Sequence, residues 1–427
     1  MTSRRYSPTL PGCKQHQRQD SMQQGDNPPA GSRTAATRHG FEFTGNGREY
    51  FKIWIVNILL SILTLGIYSA WAKVRTRRYF YGNTLLDGSR FEYHARPLAI
   101  LKGRIIAVTL LLLYAGLSQF FPLAGLMVLL LMALFVPWVI WKSLRFTARA
   151  SSYRNVRFSF DGTLGQTYKY FFWIPGSILI TAGLLALGLW LTRPTLAPDL
   201  VVGLITSALL LTYLLYPWFQ RLFTSFYLDY HRYGQGRFQS QLETGEYYVI
   251  YLLTLVFGLL ITAGVGLILA LTVQLLGHAG LLEGLQTLGQ PDPEFTFPPL
   301  LTLVIVALLY LPLLVLGSWL RSYFKASLRN HVYSSTRLDH VLLLRSDMGT
   351  WRLFLIYVSN TVLVLLSLGL AYPWARIRLA RYSARCTSAI LQGSLDGYVT
   401  RQQEQVSAVG EELGDAFDVD VDMGLGL

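Results

Sequence analysis

Long stretches without a single charge alternate along this chain with short basic, polar or glycine-bearing pieces, and that alternation predicts most of its elements. Six uncharged segments run over Ile105–Phe121, Leu123–Trp141, Tyr170–Leu191, Leu200–Phe219, Tyr247–Leu276 and Pro298–Trp319. Each is near or above the ~20 residues that cross a bilayer's hydrocarbon core. Helix is the form expected for them, because backbone in lipid must satisfy its own hydrogen bonds. Two further apolar segments, Phe51–Ala72 and Phe354–Ala375, are interrupted by glycine. Between the apolar runs lie TLLDGSRFEY (84–93), RFSFDGT (157–163), GRFQSQLETG (236–245) and AILQGSLDGY (389–398), with FEFTGNG ahead of residue 48. These read as short strands, and Asp87-Gly88 is a two-residue hairpin signal.

The two glycine-broken segments are copies of one another. With Trp71 set against Trp374, residues 51–84 and 354–387 align without a gap and share 13 of 34 positions, among them Asn57 with Asn360 and Gly66 with Gly369. Matched leucines follow from composition alone. Matched asparagine, glycine, tryptophan, arginine and tyrosine in one register do not, so this is an internal repeat. Its aromatic-then-basic half recurs more weakly at Trp138, Trp218 and Trp319. Residues 168–218 begin like the first copy and end in Pro-Trp, with two full spans between. The terminal repeats therefore read as the same module with a shortened hairpin.

Charge then constrains topology. The chain carries a net +13, is 52% hydrophobic and only 14% charged, where a soluble protein of this size has roughly a quarter. Basic clusters follow both Trp71 and Trp374. If all eight apolar segments crossed, these twins would face opposite sides, against the positive-inside rule. If the two repeats dip in and return, turning near Gly66 and Gly369, all five basic clusters fall inside. The expectation is thus an all-α polytopic membrane protein: about six transmembrane helices in three hairpins, two short re-entrant or transmembrane repeats, and small cytoplasmic β-hairpins. Residues 1–40 read as a disordered N-terminal tail without a signal-peptide pattern. Residues 41–400 form the membrane domain, and 401–427, with seven acids and one arginine, form a disordered acidic C-terminal tail. Both termini are expected in the cytoplasm.

The stretch FEFTGNGREYFKIWIVNILLSILTLGIYSAWAKVRTRRYFYGNTLLDGSRFEYHA, above all its TLGIYSAWAKVR core, resembles the YjgN-like family of bacterial inner-membrane proteins, built around a domain of unknown function. The resemblance covers most of 41–400 and implies an integral protein of the bacterial inner membrane. It brings no substrate, cofactor or catalytic residue.

Candidate chemistry centres on the Trp-x-x-x-Arg-x-x-Arg-Tyr pattern, which is Trp71, Arg75, Arg78 and Tyr79 in the first copy and Trp374, Arg378, Arg381 and Tyr382 in the second. Spaced i, i+4 and i+7, the first three share a helix face. They suit an interfacial anchor or a site for anionic lipid headgroups, making membrane lipids the expected partner. Clusters this short at a membrane argue against nucleic acid, and nothing names a protein partner. Asn57 and Asn360, with Gly66 and Gly369, read as the re-entrant turn or the packing of the repeats. No ionisable residue lies within the six segments as drawn, which weakens ion-coupled transport. The seven histidines lack metal-ligand spacing, the cysteines Cys13 and Cys386 suggest no disulfide, and no catalytic motif is present, so neither enzyme nor cofactor is expected. Asp418, Asp420 and Asp422 fail the calcium-loop pattern, with Met423 where glycine belongs. Two function classes remain: a scaffold or anionic-lipid-interacting envelope protein, and, as the alternative, a transporter or channel.

Overall fold

The computed structural model describes residues 36–178, 180, 183, 198–278, 299–339 and 341–416. Its strands do not stay as separate hairpins. β1 (Ala36–Phe43), β2 (Thr84–Leu86), β3 (Ser89–Tyr93), β4 (Ser151–Tyr153), β5 (Val156–Phe160), β6 (His231–Tyr233), β7 (Gly236–Ser240), β8 (Thr336–Leu338), β9 (Leu342–Ser346) and β10 (Thr387–Gln392) pair antiparallel in one closed ring. The all-α expectation is corrected here: the chain is a closed ten-stranded β-barrel carrying helices. The physical reason is that strands of three and five residues are unstable as lone hairpins. Joining every hairpin to its neighbour and closing the ring leaves no free edge.

The helices leave the barrel as hairpins between each odd strand and the next even one. The first unit holds α1 (Gly47–Leu63) and α2 (Ser69–Gly82), and the second α3 (Pro97–Phe120) and α4 (Pro122–Arg149). The third holds α5 (Leu164–Tyr168), running into a π-turn at Lys169–Trp173, and α6 (Pro198–Asp229). The fourth holds α7 (Thr244–His278) and α8 (Pro299–Ser334), and the fifth α9 (Thr350–Leu366) and α10 (Tyr372–Arg385). One backbone bond recurs at the base of each, from Thr44 N to Asn83 O (2.9 Å), His94 N to Ala150 O (2.7 Å), Asp161 N to Tyr230 O (2.9 Å), Gln241 N to Ser335 O (2.8 Å) and Asp347 N to Cys386 O (2.9 Å). The two-copy repeat is therefore the clearest pair within a fivefold pseudo-repeat.

Hairpin lengths differ. α1 and α2 hold 17 and 14 residues, as do α9 and α10, and 17 residues rise only about 25 Å. Pro97–Phe120, Pro122–Arg149 and Thr244–Ile268 are each long and apolar enough to cross a membrane. α6, with 32 residues, and α8, with 36, are longer than a bilayer requires. Part of the expected Tyr170–Leu191 span and the loops around 191–199 and 277–297 lie outside the described residues. Because β1 pairs with β10, the two short hairpins stand side by side. Their tips are alike: Leu65 and Leu368 sit at φ 48° and 49°, then Gly66 and Gly369 at φ 91°. The Gly66 and Gly369 amides close Schellman bonds to Ser61 O (2.7 Å) and Val364 O (2.8 Å).

Two tail boundaries also change. Residues 36–40, assigned to the N-terminal tail, pair with β10 from Ala36–Gln392 to Gly40–Ser388 and so complete the barrel. Residues 401–416, assigned to the acidic tail, continue α11 (Leu395–Ala416). Leu395, Tyr398 and Val399 of α11 pack into one core with Leu86, Tyr153, Val156, Tyr233, Leu338, Leu342, Ala389 and Leu391 of the strands. Its polar face holds the strand turns. Gln402 Oε1 accepts from Gln235 N (2.8 Å) and Gly236 N (3.1 Å), Tyr398 Oη donates to Asp339 (2.6 Å), and Arg154 pairs with Asp396. Helical hairpins thus rise from one barrel end while α11 covers the other. The barrel is a packed body, and burial raises the pKa of Tyr153, Tyr233 and Tyr398. Cys13 and the 418–424 acidic run lie outside the described residues.

Candidate functional site: the basic helical ring

Each unit is fastened to the next by a side chain on its second helix. Arg78 Nη2 donates to Ala95 O (3.3 Å), Trp141 Nε1 to Gly162 O (2.7 Å), Arg221 Nε to Leu242 O (3.2 Å), Asn330 Nδ2 to Met348 O (3.0 Å) and Arg381 Nη2 to Gly45 O (2.7 Å). All these acceptors are the second residue after an odd strand, so the set runs once around the ring. Carbonyls at a strand-to-helix corner lack ladder partners, and a side-chain donor satisfies them.

These clips divide the arginine–aromatic pattern. Arg78 and Arg381 spend donors on neighbouring backbone. Tyr79 donates to Asn46 O (2.8 Å) and accepts from Asn46 N (2.7 Å); Tyr382 does the same with Gly349 (3.0 and 2.9 Å). Trp374 packs across the unit boundary on Phe51, ring centres 5.3 Å apart, and on Gly47, where a Cβ would collide with its ring. Trp71 stacks on Tyr68. Arg378 donates to Ser359 Oγ (2.7 Å), whereas Arg75 is exposed and has no hydrogen-bond partner among the described residues. Asn57 and Asn360 are buried midway along their hairpins. Each Nδ2 donates to the opposite arm, to Ala72 O (3.5 Å) and Ala375 O (3.2 Å). They tie the arms within a repeat, neither capping the tip nor linking the repeats.

A second set of cations lies mostly on the second helices of the units. Arg77 of the first unit lies within electrostatic reach of Tyr227 of the third, as do Tyr81 of the first and Tyr333 of the fourth. Units that are not neighbours meet only across the axis, so these groups surround a central space, and Tyr227 keeps 46% of its surface accessible there. Arg329 stacks over Tyr333 (4.3 Å), and Arg321 and Lys325 over Tyr357 (5.1 and 5.8 Å). Arg376 stacks over Phe80 (5.3 Å), and Arg104 donates to Ser69. Burial, with the charges of Arg77 and Arg104, lowers the pKa of Lys73. Among the described residues none of these cations has an ion-pair partner. The cause is visible in the chain, where no Asp or Glu occurs at 50–86, 93–160 or 295–338.

Sequence reasoning counted Lys73, Arg77, Arg321 and Lys325 in its basic clusters without naming them as site residues, and passed over Arg104, Arg329 and Arg376. Two signals pointed to them: the i, i+4, i+8 spacing of Arg321, Lys325 and Arg329, and the acid-free intervals. Uncompensated cations around a semi-enclosed space can hold an anion through charge-assisted hydrogen bonds. No cluster of three or more metal-ligating side chains occurs among the described residues.

Residues 38–416 match the family model described as a bacterial protein of unknown function (DUF898). The chain is 29% identical over 387 residues to the inner membrane protein YjgN of Salmonella typhimurium, an alignment covering 86% of this chain and 92% of that protein. It is 34% identical over 152 residues to the YjgN protein of Escherichia coli K12, covering 34% and 36% of the two chains. No solved structure matches it.

Proposed function

We propose, for a chain that belongs to the DUF898 family of bacterial proteins of unknown function and resembles inner membrane proteins, that it binds anionic lipid headgroups at the cytoplasmic leaflet as a non-enzymatic envelope protein. The observation carrying this reading is the set of cations with no carboxylate among them. In water such a set is solvated, but at a bilayer surface it attracts anionic headgroups, at roughly 1 kcal/mol per Lys or Arg. The positive-inside rule places the barrel, and with it both described ends, in the cytoplasm. The apolar tips Leu65 and Leu368, 95% and 94% exposed, then reach toward the acyl region. A transporter or channel, the alternative, has less support: a path along the barrel axis meets the Tyr153, Tyr233 and Leu391 core and α11.

The test is native mass spectrometry of the purified full-length protein with phosphatidylglycerol, cardiolipin and phosphatidylethanolamine. Retention of the anionic lipids, reduced when Lys73, Arg321, Lys325 and Arg376 are all changed to Ala, is the expected result. Equal retention of phosphatidylethanolamine, or no effect of the fourfold change, overturns the reading.

A further inference from the structure

The two terminal repeats provide an internal comparison, since they share one fold and one origin but differ at a few positions. A cleft of about 540 Å³ opens beside the first copy. Its polar wall consists of Asn57, Ser61, Ser69, Lys73, Thr76 and Arg77 of the first unit and Arg376 of the fifth. In the second copy the residues matching Ser61, Ser69, Thr76 and Arg77 are Val364, Tyr372, Leu379 and Ala380. The second copy thus accommodates apolar or larger side chains at the positions where the first copy lines the cleft with polar ones.

Asn57 shows the same divergence. In the second copy Asn360 Oδ1 accepts from Arg378 (3.5 Å). In the first, the matching Arg75 makes no such bond, and Asn57 Oδ1, on a residue only 6% exposed, has no donor among the described residues. A buried acceptor without a donor is costly, and a ligand hydroxyl can supply one. The remaining lining includes Ile58, Ile62 and Trp54, which offers an apolar surface beside the charges. The cleft runs along both arms of the first short hairpin, and Arg376 of the fifth unit completes its lining.

We infer that this cleft at the junction of the first and fifth units is a headgroup site for one phospholipid whose phosphodiester carries a hydroxylated substituent, of the phosphatidylglycerol kind. Lys73, Arg77 and Arg376 hold the phosphate, Asn57 accepts from the headgroup hydroxyl, and Ile58 and Ile62 meet the start of the acyl chains. The assignment rests on the anionic-lipid reading above and narrows it to one place and one chemistry.

Native mass spectrometry of the full-length protein tests it with three probes: phosphatidylglycerol, phosphatidylmethanol (the same charge without the hydroxyls), and soluble glycerol 3-phosphate. Phosphatidylglycerol is expected to bind about 3- to 10-fold more tightly than phosphatidylmethanol, the value of one hydrogen bond to an otherwise orphaned acceptor. Lys73→Ala with Arg376→Ala should weaken phosphatidylglycerol by about tenfold or more, since two charge-assisted contacts are lost. Asn57→Leu should abolish the preference between the two lipids. Should that variant misfold, Ser61→Val with Thr76→Leu installs residues the second copy already accommodates and is expected to weaken both lipids. Equal affinity for the two lipids, or indifference to Lys73→Ala with Arg376→Ala, overturns the site. Glycerol 3-phosphate binding as tightly as phosphatidylglycerol overturns the lipid as its source. If the cleft variants bind normally while Arg321→Ala with Lys325→Ala loses anionic lipid, the cleft assignment falls and the broader function stands. If the unaltered protein binds no anionic lipid, both fall.

Discussion

Replacing Gln402 by leucine is the most direct test of α11 as the cover of the barrel. Gln402 is 5% exposed, and its single Oε1 accepts the amides of Gln235 and Gly236 at 2.8 and 3.1 Å. Leucine has a similar volume, so no water enters to replace the lost acceptor. Both donors are left dry, the Gly236 bond being buried and the Gln235 bond partly so. At about 1–3 kcal/mol for a buried orphan and roughly half that for a partly buried one, docking of α11 weakens by about 1.5–4.5 kcal/mol. Hydrogen exchange of the α11 amides in detergent reports that local opening directly. At one decade per about 1.4 kcal/mol, exchange across residues 395–402 should accelerate by about 10- to 1,000-fold. The barrel strands should change much less. Gln402→Glu keeps an acceptor and should stay close to the parent. Exchange of the leucine variant within about threefold of the parent would refute the claim that this side chain seats the helix.

Other outcomes follow from single observations. Gly66→Ala and Gly369→Ala place a Cβ at φ 91° and should each cost about 1–2 kcal/mol, read as a lower thermal midpoint in detergent. Because the space around both is open, the loss comes from the backbone and is the same for Gly66→Ser. Arg381→Met removes the clip to Gly45 O and should raise hydrogen exchange at the β1–β10 seam, with Arg381→Lys partly restoring protection. Burial lowers the pKa of His231, opposed by its bond to the Tyr227 carbonyl. The unfolded chain therefore binds a proton more readily than the folded one. Stability should fall as pH drops below about 6.5, the ordinary imidazole value, and His231→Gln should flatten that slope. Alkaline phosphatase fused after Gly88 should be inactive, and an active fusion would place the barrel outside the cytoplasm.

Much of the local structure was legible in the chain. Apolar runs marked the long helices, Asp87-Gly88 marked the β2–β3 turn, and the register of residues 51–84 against 354–387 marked twin hairpins breaking at glycine. These are local properties: each depends on residues a few positions apart, through helical rise, a left-handed turn or the absence of charge. The closed barrel was not legible. A strand such as Ser151–Tyr153 has the same three residues whether it is a stray hairpin or one tenth of a ring. What decides is the pairing of Ala36–Gly40 with residues more than 340 positions away. The acidic composition of 401–416 suggested a solvated tail, yet the helix is anchored through Leu395, Tyr398 and Gln402, most of them ahead of that boundary.

The candidate site divides in the same way. The chain by itself set arginines and lysines close behind tryptophans and kept acids out of residues 50–86, 93–160 and 295–338. Only the tertiary structure decided which arginines are occupied: Arg78 and Arg381 satisfy carbonyls of the next unit, while Lys73, Arg77 and Arg376 line one cleft. A helix face is set by sequence spacing, but what that face meets is set by the neighbour that barrel closure brings beside it.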